Sequence, residues 1–206
     1  MEKIFNLHLA KKAIEHINIT LGIISPNKLP EHLHFPPSNR THYNQRLQTM
    51  REKGKETLNN YYKNLAAKTI NEDPDIINKE PRIANPVRYY SAKEPQKHII
   101  RQRLISNSHA IEAGVGNCNE KSQIAFTYLL LKGAKPLDRF VIINEMGISD
   151  HAFIVIGRNC GVPQQSESWN HDAVICDPWD NNVFISNGRD LSNFFNGTLR
   201  LMHRYE

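Results

Sequence analysis

The first half of the chain is dominated by apolar residues at helical spacing. Over residues 7–24 they recur every three or four positions, which predicts a helix that ends at the Ser-Pro pair following it. The same spacing predicts a second helix through 43–65. Ser91 and Glu94 match a capping box, which predicts a third helix over about 92–112 that glycines close. Prolines are concentrated in 26–38 and 74–90, so we expect these two segments to be irregular.

The second half changes from helical to strand-like patterning. A short helix is predicted over 119–132, where a glycine stops it. Runs rich in β-branched residues then predict strands at 140–144, 151–157 and 173–176, with a fourth short strand at 183–186. Helices come first, then one helix followed by several strands, with no regular strand-helix alternation. This order predicts the α+β class.

Charge is distributed unevenly along the chain, whose net charge is +5. Residues 1–113 hold 18 Lys and Arg against 11 Asp and Glu, a balance of +7, whereas 114–206 hold 8 against 10, a balance of −2. A basic helical surface suits an anionic partner, or it is simply a solvated face. No RNA-binding signature, zinc-finger spacing or basic-aromatic stripe is present, so the sequence disfavours nucleic acid as the partner.

The sequence also bears on the compartment. No stretch approaches the roughly 18 apolar residues of a membrane span, and the N-terminus lacks the apolar block of a secretory signal peptide. The three cysteines (Cys118, Cys160 and Cys176) are odd in number and lack CxxC spacing, which argues against a disulfide scaffold and a zinc ribbon. We expect a protein of a reducing compartment, either cytoplasmic or exported without a conventional signal peptide.

Cys118 is the first candidate for chemistry. It follows Gly114-Val115-Gly116-Asn117 and stands where the helix over 119–132 begins. A cysteine at a helix N-terminus meets the positive end of the helix dipole and free backbone N–H groups, and both favour the nucleophilic thiolate. The glycines would allow a sharp turn and a close approach of substrate. Buried cysteine as a small apolar residue is the common alternative.

His151 opens one predicted strand and Asp177 closes another. If these strands are antiparallel neighbours in a ladder whose residue numbers sum to 328, His151 lies opposite Asp177 and both side chains share one face. Asp177 could then hold the imidazole of His151, and His151 could serve as base to Cys118. A slip of one residue would break this pairing. A metal site formed by the same three side chains is a weaker alternative, because ligand pairs at short spacing are absent.

The ordered motifs resemble the transglutaminase-like core of the papain-like cysteine peptidase superfamily. The resemblance covers roughly 112–186 and is carried by Gly-x-Cys at a helix start, His-Ala-aromatic opening a strand and Asp-Pro closing another. It implies that Cys118 is the nucleophile, His151 the general base and acid, and Asp177 the orienting carboxylate, with no cofactor. We expect such a catalytic core over 91–206, preceded by a helical N-terminal extension over 1–90.

The chain departs from the family pattern at three positions. Phe153 stands where Trp often follows the histidine, Trp179 stands where many members have Thr, and Glu112 stands where papain-like enzymes place an oxyanion-stabilising Gln. An ionised Glu cannot donate a hydrogen bond. The backbone N–H of Cys118 and the amide of Asn117 are therefore the candidate oxyanion donors. Trp179 is a candidate for lining the substrate cleft.

The resemblance implies a thiol-dependent acyl-transfer enzyme that acts on protein amides. Attack on a Gln side chain would make it a deamidase or transglutaminase, and attack on a peptide bond would make it a protease. A compact thiol domain with an unrelated helical extension is also similar to virulence effectors that bacteria inject into host cells, which would make a host protein the target. The alternative is a non-catalytic adaptor or pseudoenzyme that binds a partner through its basic helical half.

Overall fold

The computed structural model describes residues 2–29 and 37–206. The chain forms two compact units. One combines residues 1–30 with 114–206, and we call it the sheet unit. The other comprises 31–113, and we call it the helical unit.

Seven α-helices lie within the described residues: α1 (Glu2–Glu15), α2 (Pro37–Glu72), α3 (Ile76–Lys79), α4 (Pro86–Lys93), α5 (Pro95–Ala113), α6 (Cys118–Leu131) and α7 (Leu191–Phe195). The helices predicted through 43–65, over 92–112 and over 119–132 correspond to α2, α5 and α6. The segment 74–90, expected to be irregular, contains α3 and part of α4, because Pro86 occupies the first turn of α4, where proline is compatible with a helix. Among the described helices, none combines the length and apolar character needed to cross a bilayer.

The sheet unit is built on five antiparallel strands. They are β1 (Leu137–Ile143), β2 (Ser149–Ile156), β3 (Val174–Asp177), β4 (Asn182–Ile185) and β5 (Thr198–Tyr205). Their order across the sheet is β4-β3-β2-β1-β5, and every neighbouring pair is antiparallel. The α+β class is therefore confirmed, and the four predicted strands correspond to β1 to β4. The last strand, β5, was not predicted.

The N-terminal helix belongs to the sheet unit. Helix α1 packs on β3, β4 and α6, and it continues into a π-helical turn over His16–Thr20 instead of running to residue 24 as predicted. Ile24 then forms a parallel bridge with Val115, next to the start of α6. These contacts join segments that are distant in sequence, so helical periodicity carried no information about them. The grouping differs for this reason from the expected division at 90/91.

The register between β2 and β3 differs by two residues from the predicted ladder. The observed pairs are Ile154 with Cys176, Val155 with Ile175 and Ile156 with Val174. Their residue numbers sum to 330, so the direct pairing of His151 with Asp177 was wrong. A strand's side chains alternate with a period of two, so a displacement of two leaves both residues on one face. They become diagonal neighbours, which long side chains can still bridge.

The face of the sheet that carries His151 and Asp177 also carries an apolar core. Its buried members are Phe140, Ile142, Phe153, Val155, Trp169, Ala173, Ile175, Leu191 and Leu199. Phe153 follows His151 by two positions, and Ile175 precedes Asp177 by two. The two site residues therefore lie at the edge of this core. On the other face, Cys176 lies against α1, where its Sγ is 3.7 Å from the carbonyl oxygen of Ala10.

The helical unit has an aromatic core of its own. Tyr62, Ala66, Ile83, Tyr89 and Tyr90 are buried together. The hydroxyl of Tyr62 lies 2.7 Å from Nδ1 of His98. The described part of 31–113 is thus helical and holds a core of its own.

Candidate active site

Cys118 is the first residue of α6, as the glycine-rich approach predicted. The Asn117 backbone N–H donates to the Glu120 carboxylate at 3.0 Å, which caps the helix. A Cβ at Gly116 would lie 2.7 Å from Cβ of Glu120 and 3.3 Å from Ile23, so glycine is required there by packing. Asn117 and Glu120 form a capping box, in which the Asn117 side chain faces the backbone N–H of Glu120. The backbone N–H of Cys118, the first residue of the helix, has no acceptor within the helix and lies beside the half-buried thiol.

A β-bulge brings His151 to this helix terminus. In the pairing of β1 with β2, Ile142 faces His151 and Ile143 faces Ser149, so Asp150 is the extra residue. Sγ of Cys118 lies 3.8 Å from the Asp150 carbonyl oxygen. Bulges bend a strand and redirect its side chains. Here the bulge fixes the backbone next to His151 against the cysteine.

Asp177 holds the other side of the His151 ring. Nε2 of His151 lies 2.6 Å from Oδ2 of Asp177. The second carboxylate oxygen, Oδ1, accepts the backbone N–H groups of Trp179 and Asp180, each at 3.1 Å. Asp177 is 1% exposed and His151 is 9% exposed, so water does not compete for this pair. Since Nε2 is engaged, Nδ1 is the ring nitrogen left for Cys118.

The charge of His151 follows from these contacts. Burial alone would lower the pKa of its imidazole, but hydrogen bonding and charge interactions with Asp177 and Cys118 raise that pKa to about 9. The ring is therefore an imidazolium at neutral pH. The structure thus brings together the three residues that the sequence singled out, at the edge of the sheet.

The raised pKa of His151 predicts a pH-dependent contribution to stability. An unfolded histidine has a pKa near 6.5, so the contribution is fully present below about pH 6.5 and is lost as the pH rises through about 9. The shift corresponds to on the order of 3 kcal/mol. The wild type should have a larger free energy of unfolding than His151→Gln. We expect this difference between the two proteins to be about 3 kcal/mol larger at about pH 6 than at about pH 10. Urea unfolding at both pH values measures this difference.

The comparison between variants is needed because Lys121 titrates in the opposite sense. Burial and the nearby Lys28 lower the pKa of Lys121 to about 8, against the attraction of Asp177. The contribution of Lys121 to the free energy of unfolding therefore increases as the pH rises. In the wild type alone, this increase partly hides the loss of the His151 contribution. The exposed His171, changed to Gln, is the matched control. A wild-type advantage over His151→Gln that stays constant with pH would contradict the assigned charge state.

Two aromatic rings from outside the strands lie beside the imidazole. The ring centroids of Trp179 and Phe195 each lie 5.2 Å from that of His151. The Trp179 indole donates to Oδ1 of Asn27 at 3.1 Å, and the Lys28 ammonium lies 4.0 Å from its ring centroid. Trp179 therefore flanks the histidine.

The two candidate oxyanion donors, Asn117 and Cys118, differ in the partners that they have in the structure. The backbone amide of Asn117 already donates to Glu120, so it is taken by the helix cap. The backbone N–H of Cys118 remains a candidate donor at the helix start. Glu112 lies in α5, in the helical unit, with a largely exposed side chain 3.9 Å from His109.

Two charged residues near the site, Lys121 and Arg139, were missed by sequence reasoning. Buried Lys121, one turn after Cys118, donates to Oδ1 of Asn18 at 2.8 Å. Buried Arg139, on β1, donates to Oδ1 of Asn119 at 2.6 Å and to the Ser122 hydroxyl at 3.1 Å, which ties the first turn of α6 to the sheet. A lysine three positions after the cysteine and an arginine inside an apolar strand were the available signals. Their partners could be known only from the fold.

Comparison with known proteins adds no relative. No protein-family model, curated protein or solved structure matches this chain.

Within residues 2–29 and 37–206, no group of three or more His, Cys, Asp and Glu side chains is arranged to hold a metal ion.

Proposed function

We propose that this protein is a thiol-dependent acyl-transfer enzyme that acts on protein amides through Cys118, His151 and Asp177. One observation carries the proposal. Nε2 of His151 lies 2.6 Å from a buried carboxylate, while the same ring interacts with a cysteine at a helix N-terminus. Nucleophile, base and orienting carboxylate are the three parts of a covalent amide-cleaving site.

The reaction follows from the charge state. The Cys118 thiolate attacks the amide carbonyl carbon, and the oxygen takes up the negative charge beside the N–H groups of the first turn of α6. His151 then gives its Nδ1 proton to the departing nitrogen as the C–N bond breaks, which leaves a thioester and a neutral imidazole. In the second half, His151 takes a proton from water or an acceptor amine, which attacks the thioester and releases the thiolate.

Chain order and layering support a transglutaminase-like core within this proposal. The nucleophile begins a helix that packs on the sheet, the histidine follows on β2, and the carboxylate ends the adjacent β3. The substrate class is a protein carrying either a reactive Gln side chain or an exposed peptide bond. Action on a host protein after export from a bacterium is the setting we propose for the combination of this core with a helical unit.

Differential labelling of the three cysteines tests the proposal. We expect iodoacetamide at about pH 6 to alkylate Cys118 about 100-fold faster than Cys160, as read by peptide mass spectrometry. Cys160 is exposed and serves as an internal reference. Cys176 is fully buried, which raises its thiol pKa, so it should stay unlabelled. Cys118→Ser should remove the fast phase and leave Cys160 unchanged.

Product analysis then separates the reaction branches. Ammonia released from a Gln-containing protein identifies a deamidase, incorporation of an added amine identifies a transglutaminase, and new peptide ends identify a protease. Each product must vanish in Cys118→Ser. Equal and slow labelling of Cys118 and Cys160 would contradict the enzyme proposal and point to the non-catalytic adaptor instead.

A further inference from the structure

A buried lysine lies next to the proposed nucleophile. Lys121 is 6% exposed and follows Cys118 by one helical turn. Its ammonium donates to Oδ1 of Asn18 at 2.8 Å. Burial of a charge is costly, and an apolar side chain of similar volume in such a place is often neutral or stabilising. Packing therefore gives no reason for a lysine here.

Its partner, Asn18, is held by an unusual piece of backbone. The π-helical turn His16–Thr20 follows α1 and contains Asn18. Such turns occur frequently at functional sites, where they redirect side chains. The Asn18 amide nitrogen donates to the Pro178 carbonyl oxygen at 2.9 Å and lies 3.4 Å from Oδ1 of Asn181. The Asn18 side chain thus accepts a hydrogen bond from Lys121 on α6 and donates one to the turn after β3.

That turn sets the position of the orienting carboxylate. Pro178 directly follows Asp177, and the N–H groups of Trp179 and Asp180 clamp Oδ1 of Asp177. A movement of the Pro178 carbonyl would rotate this turn and with it the carboxylate that holds His151. The contacts run without a gap from the helix of the nucleophile to the carboxylate.

We propose that Lys121 and Asn18 are positioning residues that fix the turn carrying Asp177 relative to the helix carrying Cys118. This role rests on the proposed function, since it concerns the same site. The segment after α1 lies outside 112–186, the region that carries the motifs. With this role it nevertheless contributes to the geometry of the site. Neither residue need touch the substrate.

Lys121→Met tests the inference because it keeps the length of the side chain and removes its hydrogen bond. We expect Cys118 to be alkylated about 10- to 100-fold more slowly at about pH 6, with the pH profile of labelling displaced, because small displacements in a site of this kind have effects of that size. Amide turnover should fall in kcat with little change in KM. The free energy of unfolding should stay equal or increase. Loss of reactivity without loss of stability separates positioning from a structural role.

Asn18→Asp is the second variant. It keeps an acceptor for Lys121 but places a carboxylate oxygen against the Pro178 carbonyl, so we expect a similar loss of reactivity. Lys11→Met, on the exposed side of α1, is the matched control and should label like the wild type. Labelling of both site variants at the wild-type rate, with an unchanged pH profile, would overturn the positioning role alone. A wild-type Cys118 no faster than Cys160 would overturn the proposed function and this role with it.

Discussion

Replacing His151 with alanine is expected to slow alkylation of Cys118 at about pH 6 by about 100-fold or more. His151 is an imidazolium at this pH because Asp177 and Cys118 raise its pKa to about 9. Without that cation, an ordinary cysteine is almost entirely protonated at pH 6 and reacts slowly. Amide turnover should fall by about 10²- to 10⁴-fold, since the same ring supplies the proton to the leaving nitrogen. Labelling kinetics and turnover are measured on the same preparation.

The control for this variant is His171→Ala, which removes an exposed histidine and should leave both rates unchanged. Circular dichroism and urea unfolding establish that His151→Ala is folded at the assay pH. Fast labelling of Cys118 in the folded His151→Ala protein would refute the ion pair. The reactivity of Cys118 would then have to come from the helix terminus alone.

Asp177→Asn is expected to reduce turnover by about 10²- to 10⁴-fold while leaving the fold intact. The amide oxygen can still accept the N–H groups of Trp179 and Asp180, which now bind Oδ1. The amide nitrogen, however, would donate to Nε2 of His151 where the carboxylate now accepts. The ring would then carry its proton on Nδ1 and could no longer take one from Cys118.

The pH profile distinguishes this loss from simple damage. Without the carboxylate, the pKa of His151 should drop from about 9, so the alkaline limit of kcat/KM should move to lower pH. Asp180→Asn is the matched control in the same turn, because Asp180 is exposed and pairs with Lys28 at 2.6 Å. An Asp177→Asn protein that retains wild-type turnover would remove Asp177 from the proposed mechanism.

The placement of the N-terminal segment changes how the site is understood. Helix α1 and the residues that follow it lie in the sheet unit, where Asn18 and Asn27 contact the turn after β3. The segment that sequence patterning assigned to a separate extension therefore contributes side chains to the surroundings of Asp177. Along the chain, residues 31–113 of the helical unit separate the two segments that form the sheet unit.

The sequence by itself determined the local features of the site. Glycines before Cys118 placed it at a helix start, and β-branched runs placed Asp177 at the end of a strand and His151 at the start of another, which the structure begins two residues earlier, at Ser149. The common face of the two residues survived a register error of two, because side chains alternate with a period of two and an even displacement preserves the face. An odd displacement would have placed them on opposite faces, so their shared face depended on the pairing of the two strands, which the sequence alone could not determine.

The tertiary structure decided everything that depends on contacts between distant segments. The register of β2 with β3, the bulge at Asp150, the addition of β5 and the return of α1 to the sheet all depend on packing across the fold. Lys121 and Asn18 are separated by a hundred residues and meet only because α1 lies beside α6. Propensity and periodicity act over a few residues, whereas such pairings are selected by burial and hydrogen bonding in the assembled unit.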